Sequence, residues 1–321
     1  DGVLSDPNTN PLPKTGYVVA GLGGDRTALE QRPVPQPGKG EILRRLRVVG
    51  FCGTDLYKLD TGTAPTGGVL GHELVGEVIA LGSGVDTFSI GDRVSVPHHV
   101  SCGECVLCLR GNETMCEVFR ENLLEPGAFA DTILVRSRAT EYAARRLPDH
   151  VSDEAAVFME PAACVLRGVH RAGIDGGDDR NGDRSGAAVV LVVLGAGSMG
   201  LLHLLVLRAV VPGCCVMVVD PVPERRARAE KLGARNAVPP GEEALRVVQA
   251  ATEGLGADAV FDTVGGNETL EAGLELTRHG GTVVRFAHAP DDAKSRSEER
   301  RVGDEGGDRG RPYQSTTKVR S

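Results

Sequence analysis

The chain has 321 residues, of which 40% are hydrophobic and 25% are charged, and its formal net charge is -8. This length exceeds the size at which one hydrophobic core keeps growing, so we expect two domains. The negative charge argues against nucleic acid or an anionic membrane surface as a partner. Asp1 stands in place of an initiator Met and no apolar leader follows it. We therefore expect an incomplete start, no secretion signal and a cytoplasmic location.

Two kinds of sequence pattern follow one another along the chain. Short apolar runs broken by Gly and Pro, from Tyr17 to about Leu147, predict a β-rich first domain at residues 1–165. Alternating strand and helix patterns then predict a parallel, doubly wound sheet at residues 166–290. The expected strands are 189–194, 215–220, 259–262 and 282–286, and the expected helices are 198–210, 224–232 and 268–278.

Two polar stretches lack any apolar periodicity. Residues 175–186, rich in Gly, Asp and Arg, are predicted to form an exposed connecting loop. Nearly half of residues 291–321 are charged, which predicts a disordered or non-native tail. We therefore expect the native C-terminus to be truncated, and the chain as written to be impaired in folding or activity.

The strongest chemical signal is a C-x2-C-x2-C-x7-C pattern formed by Cys102, Cys105, Cys108 and Cys116. Close spacing in a long chain without an export signal favours a metal over disulfides. Four thiolates match tetrahedral Zn²⁺ with no position left for substrate, which is typical of a structural zinc site. An iron–sulfur cluster and an unliganded cysteine cluster remain as alternatives.

A second signal combines three ligand types. The pattern G-H-E-x2-G-x5-G-x2-V begins at Gly71 and contains His72 and Glu73, and Cys52 lies about twenty residues upstream. A thiolate, an imidazole and a carboxylate are the ligands of an open, catalytic zinc site. The combination therefore predicts a second metal site.

A third signal is a G-x-G-x-x-G loop between a predicted strand and a predicted helix. Its residues are Gly195, Gly197, Ser198, Met199 and Gly200. Such a loop lets a pyrophosphate approach the start of the helix.

Asp220 ends the next predicted strand, twenty residues after the loop. A carboxylate there would accept hydrogen bonds from an adenosine ribose and repel a 2′-phosphate, which favours NAD over NADP. Arg225, with Arg226 beside it, leaves NADP as the less favoured alternative.

With these motifs, the chain from about Tyr17 to Ala287 resembles the zinc-containing medium-chain dehydrogenases, especially the branch of polyol, threonine and sugar dehydrogenases. The resemblance implies a GroES-like β-rich catalytic domain followed by an NAD-binding Rossmann domain, with two zinc ions per chain. It implies hydride transfer from a secondary alcohol, such as a polyol, sugar or amino alcohol, to NAD.

The resemblance also implies individual roles. Cys52 and His72 would hold the catalytic zinc, and Glu73 would ligate it directly or through water. Glu160 matches a further acid of the polyol branch, although it could be only a favourable acid at a helix N-terminus.

Further roles concern the proton and the substrate. Thr54 matches a relay hydroxyl, and Asp55 matches a carboxylate that orients His72. Tyr57 stands where a relay histidine is common, which leaves the proton exit unassigned. His98 and His99, just before the cysteines, are candidates for substrate contact or for simple packing.

The competing hypothesis is a zinc-stabilised NAD-binding relative without catalysis, or an inactive fragment. A relative that had lost the catalytic metal would be expected to lose Cys52 or His72, and this chain retains both. The enzyme is therefore favoured, with a small-molecule alcohol as partner and a homodimer or homotetramer as the expected assembly.

Overall fold

The structure is a computed structural model that describes residues 12–174 and 188–287, together with the backbone of residues 315–318. The predicted loop 175–186 lies outside the described residues, as does most of the predicted tail 291–321. The described residues form two compact units that divide between Pro161 and Ala162.

The first unit is rich in short strands. They are β1 (Thr15–Gly23), β2 (Arg26–Pro33), β3 (Ile42–Val49), β4 (Leu74–Leu81), β5 (Arg93–Ser95), β6 (Leu124–Glu125), β7 (Thr132–Val135) and β8 (Arg145–Arg146). Short helices that the sequence patterns did not predict interrupt them: α1 (Gly53–Asp60), α2 (Val106–Leu109), α3 (Ser137–Tyr142) and α4 (Asp153–Ala156). A 3-10 turn covers Glu113–Met115, and α5 (Met159–Ala172) begins at the end of this unit.

Strands β1 and β2 form a hairpin, and the others form an antiparallel sheet in the order β6-β7-β3-β4-β5-β8. Its alternating apolar side chains pack into a core that includes Ile42, Leu74, Val78 and Ile133. Burial of one face of such a sheet is the main source of its stability. The register pairs the end of β3 with the start of β4, because Val49 lies opposite Leu74. The loops that leave β3 and enter β4 therefore meet at one end of the sheet.

The second unit is an α/β sheet in the order β11-β10-β9-β12-β13-β14. Its strands are β9 (Val190–Leu194), β10 (Cys215–Val219), β11 (Asn236–Val238), β12 (Ala257–Asp262), β13 (Thr277–Arg285) and β14 (Ser315–Lys318). Its helices, besides α5, are α6 (Ser198–Val210), α7 (Pro223–Lys231), α8 (Glu242–Ala251) and α9 (Asn267–Leu276). All neighbouring strands are parallel except β14, which is antiparallel to β13.

Both faces of this parallel sheet are buried. On β9, Leu191 and Val193 face one apolar cluster, and Val190, Val192 and Leu194 face another. Such double burial explains why β9 is a continuous apolar run rather than an alternating one. The predicted parallel, doubly wound sheet is thus present, and the predicted helix 198–210 has the bounds of α6.

Three elements of this unit were not predicted. Strand β11 has only three residues, and α8 buries only Ala244 and Val248 completely. Strand β14 falls within the segment whose charge suggested a tail without structure. The predicted domain boundary after residue 165 falls inside α5.

The sequence from residue 187 to residue 211 is mostly apolar and contains three glycines. Of its described residues, most lie in β9 and α6, which the glycine loop separates. Across the part of the chain that the structure describes, every helix is too short or too polar to cross a membrane.

Candidate metal centres and cofactor loop

We call residues 102–116 of the first unit the cysteine lobe. Its four thiols lie together in the structure: Cys102 Sγ is 3.9 Å from Cys108 Sγ and 3.6 Å from Cys116 Sγ. The Cys105 and Cys108 sulfurs are 3.5 Å apart. The edge of a tetrahedron with Zn–S bonds of about 2.3 Å is about 3.8 Å long. The separations therefore fit four ligands of one zinc ion and are far too long for disulfides.

Backbone and burial act in opposite directions on two thiols of the cysteine lobe. Backbone N–H groups of Glu104 and Cys105 lower the pKa of Cys102 to about 7. Burial and the neighbouring Cys105 thiol raise the pKa of Cys108 to about 11. Four thiolates in this small space would repel one another without a cation, so their chemistry fits a divalent metal that displaces their protons.

We call the three residues Cys52, His72 and Glu73 the Cys52 group. Cys52 follows β3, and His72 and Glu73 directly precede β4, so the antiparallel register brings them to one end of the sheet. Their ligand atoms all lie within 4.8 Å of one another. Zn²⁺ binds such atoms at about 2.0–2.3 Å. The separations are therefore of the size that one ion bridges.

Helix α1 begins at the Cys52 group. Cys52 is its N-cap: the backbone N–H of Thr54 donates to Cys52 Sγ at 3.5 Å. Helix N-termini favour negative charge, which supports a thiolate at this position. The N-cap position of Cys52 thus favours its thiolate form. The sequence patterns did not predict α1.

Asp55 connects the two segments that carry the Cys52 group. Its carboxylate is buried and accepts hydrogen bonds from the backbone N–H groups of Cys52 and Gly71, each at 3.2 Å. Asp55 Oδ1 lies 3.6 Å from Nδ1 of His72. The predicted partner of His72 is therefore beside its ring, and it also positions the backbone on both sides of the group.

Two glycines leave room for the Cys52 group. Gly50 donates its N–H to the Glu73 carbonyl at 2.7 Å, and a Cβ at Gly50 would overlap the Glu73 carboxylate. Gly71 has φ +88°, a conformation that side chains rarely adopt, and its N–H meets Asp55. The reason for glycine at position 50 was not evident from the sequence.

Burial opposes charge on every member of the Cys52 group. It raises the pKa of Cys52 and of Glu73, and it lowers the pKa of His72 against the opposing effect of Asp55. A buried site that must hold a thiolate and a carboxylate requires a compensating cation. The donor set, its separations and its burial together fit Zn²⁺.

The other residues predicted for this site lie on α1 and α5. Thr54 is half-buried in the first turn of α1, and Tyr57 is exposed on the same helix. Glu160 lies in the first turn of α5 and is half-buried. Among the described residues, the compact group of potential ligands contains Cys52, His72 and Glu73 but not Glu160.

The second unit carries the predicted glycine loop between β9 and α6. Gly195 has φ +93°, and a Cβ there would meet Val264 and Thr263 within 2.8 Å. A Cβ at Gly200 would overlap the Gly195 carbonyl, so this glycine allows the helix to pack on the loop. A Cβ at Gly197 would point into open space, where it would occupy room that a phosphate needs. Ser198 and Met199, the next residues of this motif, lie in the first turn of α6.

Asp220 directly follows β10 and is buried beside the glycine loop. Its Oδ2 accepts the Ala196 N–H at 2.7 Å, and its Oδ1 accepts the Val222 N–H at 2.8 Å. Each carboxylate oxygen retains a further acceptor site for a ribose hydroxyl. Arg225 lies on α7 with its Nη1 3.9 Å from Asp220 Oδ2 and is largely exposed. The residues present thus fit the ribose and pyrophosphate of a dinucleotide.

Two family models match the chain. The one described as "Alcohol dehydrogenase GroES-like domain" matches residues 38–144, and the one described as "Zinc-binding dehydrogenase" matches residues 200–301. Together they cover more than half of the chain. The predicted GroES-like and Rossmann architecture is therefore confirmed.

Curated relatives and solved structures agree with these matches. Sorbitol dehydrogenase of Bacillus subtilis (strain 168) is 30% identical over 264 residues, which are 80% of this chain and 70% of that protein. L-threonine 3-dehydrogenase of Pectobacterium atrosepticum is 32% identical over 269 residues, or 80% and 69% of the two chains. The alcohol dehydrogenase TADH from Thermus sp. ATN1 superimposes with a TM-score of 0.70 and 31% identity, over 87% of this chain and 79% of that chain. The chain thus belongs to the zinc-containing medium-chain alcohol dehydrogenase family.

Proposed function

We propose that the protein is a zinc-dependent, NAD-linked dehydrogenase that oxidises a secondary alcohol of a polyol, sugar or amino alcohol by hydride transfer to the nicotinamide. The observation that carries this proposal is the Cys52 group: a thiolate, an imidazole and a carboxylate donor within 4.8 Å of one another. Mixed ligands of this kind leave a coordination position for substrate, whereas four cysteines do not.

Two zinc ions per chain would be held by different residues. The cysteine lobe would hold one through Cys102, Cys105, Cys108 and Cys116. Cys52 and His72 would hold the other, with either Glu73 or Glu160 as its third, acidic ligand. At the second site, zinc when bound supplies Lewis acidity that lowers the pKa of a substrate hydroxyl.

The protein's own residues would orient the ligands and move the proton. Asp55 lies beside the His72 ring and accepts hydrogen bonds from the backbone of Cys52 and Gly71, so it would orient the ligands. Thr54, half-buried beside Cys52, would take the proton that the substrate hydroxyl loses. Tyr57 would be a poor next proton acceptor, since a phenol is a less effective proton shuttle than the imidazole that is common at this position.

NAD would bind at the glycine loop of the second unit. Its pyrophosphate would lie at the start of α6, beside Gly195, Gly197 and Gly200. Asp220 would accept the ribose hydroxyls and exclude a 2′-phosphate by charge repulsion. Arg225 reduces that repulsion only partly, because it is exposed and 3.9 Å from the carboxylate.

The relatives support an alcohol as substrate. The two curated relatives are named for sorbitol and for L-threonine, each of which carries a secondary hydroxyl. The retention of Cys52 and His72 favours an enzyme over a relative that binds cofactor without catalysis.

Metal content and a substrate screen test the proposal together. Elemental analysis of the purified chain should find two zinc ions, and sorbitol, xylitol, L-threonine, glucose and inositol should be assayed with NAD⁺ and with NADP⁺. We expect turnover of at least one of them, at a rate lowered by the impairment expected for the chain as written, with NAD⁺ preferred by about tenfold or more, since one charge repulsion is worth about 1–2 kcal/mol. One zinc that survives in Cys52→Ser would assign that ion to the cysteine lobe. Absence of turnover of every alcohol by the wild-type chain with both zinc ions bound would instead indicate a non-catalytic relative.

A further inference from the structure

The second unit contains a buried carboxylate that the proposed reaction does not use. Asp262 is the last residue of β12 and is fully buried. We call the residues that follow it, 263–266, the β12 loop. Oδ1 of Asp262 accepts the N–H of Val264 at 3.0 Å and that of Gly265 at 2.9 Å, and Oδ2 accepts the hydroxyl of Thr269 at 3.0 Å. A buried carboxylate is tolerated only while such donors stay in place, so its position and that of the loop depend on each other.

The backbone of Asp262 holds a further segment at the same edge of the sheet. Its carbonyl accepts the N–H of Phe286 at 2.9 Å and that of Ala287 at 3.1 Å. These two residues follow β13, which is parallel to β12. Asp262 therefore connects the β12 loop, the first turn of α9 and the chain that leaves β13. All three lie at the carboxyl edge of the parallel strands, where open α/β sheets bind their ligands.

The β12 loop packs on the glycine loop. The register pairs Asp262 with Leu194, the last residue of β9, so the two loops leave the sheet side by side. Thr263 donates its N–H at 3.1 Å and its hydroxyl at 2.7 Å to the Leu194 carbonyl. Val264 Cγ2 and Thr263 Oγ1 lie 2.7 and 2.8 Å from the position that a Cβ on Gly195 would take. The β12 loop thus borders the proposed cofactor site.

Buried carboxylates follow both strands that flank β9, and they differ in their partners. Asp220 follows β10, and each of its oxygens accepts one backbone N–H, which leaves acceptor capacity for a ribose. Asp262 accepts three hydrogen bonds from the chain, two of them from the β12 loop. Since its side chain is fully buried, Asp262 can act on a cofactor only through the loop that it holds.

We propose that Asp262 is a positioning residue of the cofactor site: it fixes the β12 loop against the glycine loop before the dinucleotide binds. A loop that is already ordered does not have to be ordered at the expense of binding free energy. All three donors to the carboxylate are neutral, so its role is hydrogen-bond acceptance rather than charge compensation. This inference rests on the proposed function, because it concerns the NAD site named there.

NADH binding to the full chain tests the proposal. The Kd is measured by calorimetry well below the Tm of each variant. Asp262→Ala should raise the Kd roughly 10- to 100-fold, as for lost hydrogen bonds to a charged group. Asp258→Ala is the matched control, because Asp258 lies at the opposite end of β12 and accepts hydrogen bonds from Val190 and Arg278. It should lower the Tm as well but leave the Kd unchanged.

Two milder variants separate positioning from a general loss of stability. In Asp262→Asn the amide oxygen can still accept both N–H groups of the β12 loop, and the amide NH₂ can donate to the Thr269 hydroxyl, so the Kd should stay within about threefold of the wild type. Thr269→Val removes only the donor to Oδ2 and should raise the Kd by about two- to tenfold. It decides the question if Asp262→Ala does not fold.

Hydrogen exchange of the cofactor-free chain gives a second readout. Peptides that cover 195–197 and 263–266 should exchange faster in Asp262→Ala than in the wild type, and at the wild-type rate in Asp258→Ala.

Three results would overturn the inference while the proposed function stands. They are an unchanged Kd in a folded Asp262→Ala, or in Thr269→Val if Asp262→Ala does not fold; equal weakening by Asp258→Ala; and weakening by Asp262→Asn as large as that by Asp262→Ala. If the wild-type chain binds neither NADH nor NADPH, the proposed function fails. The exchange rates of the two loops in Asp262→Ala then still decide whether Asp262 fixes one loop against the other.

Discussion

The cysteine lobe and the Cys52 group are two clusters of potential metal ligands in one unit, and they are built in opposite ways. The lobe takes four ligands of one chemical type from fifteen consecutive residues, and its sulfurs are 3.5–3.9 Å apart where measured. The Cys52 group takes three ligands of three types from two segments that meet only through the pairing of β3 with β4.

This difference implies different roles for the two clusters, folding stability for the lobe and catalysis for the Cys52 group. Four thiolates complete the coordination of zinc, so a metal there can only cross-link the chain. Three mixed ligands leave room for a substrate, but they depend on the surrounding sheet and on Asp55 for their positions. We therefore expect loss of the lobe to affect folding first and loss of the Cys52 group to affect turnover first.

The largest expected effect is the loss of folding stability in Cys116→Ser. The lobe contains exposed Val106 and Leu109 and little apolar core of its own, so the metal must provide most of its order. We expect zinc content to fall from two to one, the free energy of unfolding to fall by at least about 5 kcal/mol, and Tm to fall by more than about 10 °C.

Elemental analysis and calorimetry check both quantities. Cys215→Ser, at a cysteine of β10 outside both clusters, is the control and should keep two zinc ions. An unchanged Tm in Cys116→Ser would show that the lobe folds without its metal.

The next effect is on turnover, in Cys52→Ser. Loss of the thiolate should remove the second zinc and with it several kcal/mol of transition-state stabilisation, so kcat/KM should fall roughly thousandfold. The free energy of unfolding should change by only about 1 kcal/mol, because Cys52 is a helix cap outside the main core. A decrease in the free energy of unfolding as large as that in Cys116→Ser would show that both clusters mainly stabilise the fold.

The smallest effect is expected for Asp55→Asn. The amide still contacts the backbone but no longer pairs with His72 as an anion, so zinc affinity of the Cys52 group should fall by about 10- to 100-fold. Titration with a competing chelator measures this affinity, and the zinc of the lobe should remain bound. Asp60→Asn, at an exposed acid of the same helix, is the control. Equal weakening of both zinc ions would show that Asp55 supports the whole unit rather than one site.

Local sequence was sufficient wherever a feature is built from neighbouring residues. The lobe cysteines lie within fifteen residues, and the glycine loop lies directly between an apolar run and helix α6. In both features the physical constraint involves only a few neighbouring residues. Cysteines must coordinate one metal, or glycines must let a phosphate approach the backbone, and each requirement produces a short sequence motif. His203, in the helix that follows the glycine loop, is buried and packs against Phe261 and Phe286.

Elements with weak local patterns were missed. Helix α1 has a mixed sequence and is started by the Cys52 cap, and β11 has three residues that become a strand only by pairing with β10. Strand β14 is polar and gains its conformation from hydrogen bonds to β13. Both strands depend on a partner strand distant in sequence, which overrides local propensity.

By itself, the sequence determined the ligand types, the two-part α/β architecture and the family to which they point, because these are encoded in short motifs and apolar periodicity. Only the tertiary structure decided other neighbours: Glu73 beside Gly50, and His98 and His99 stacked outward from His72. Spatial proximity across twenty or more residues depends on strand register and helix placement. Those follow from burial of the whole core rather than from any single motif.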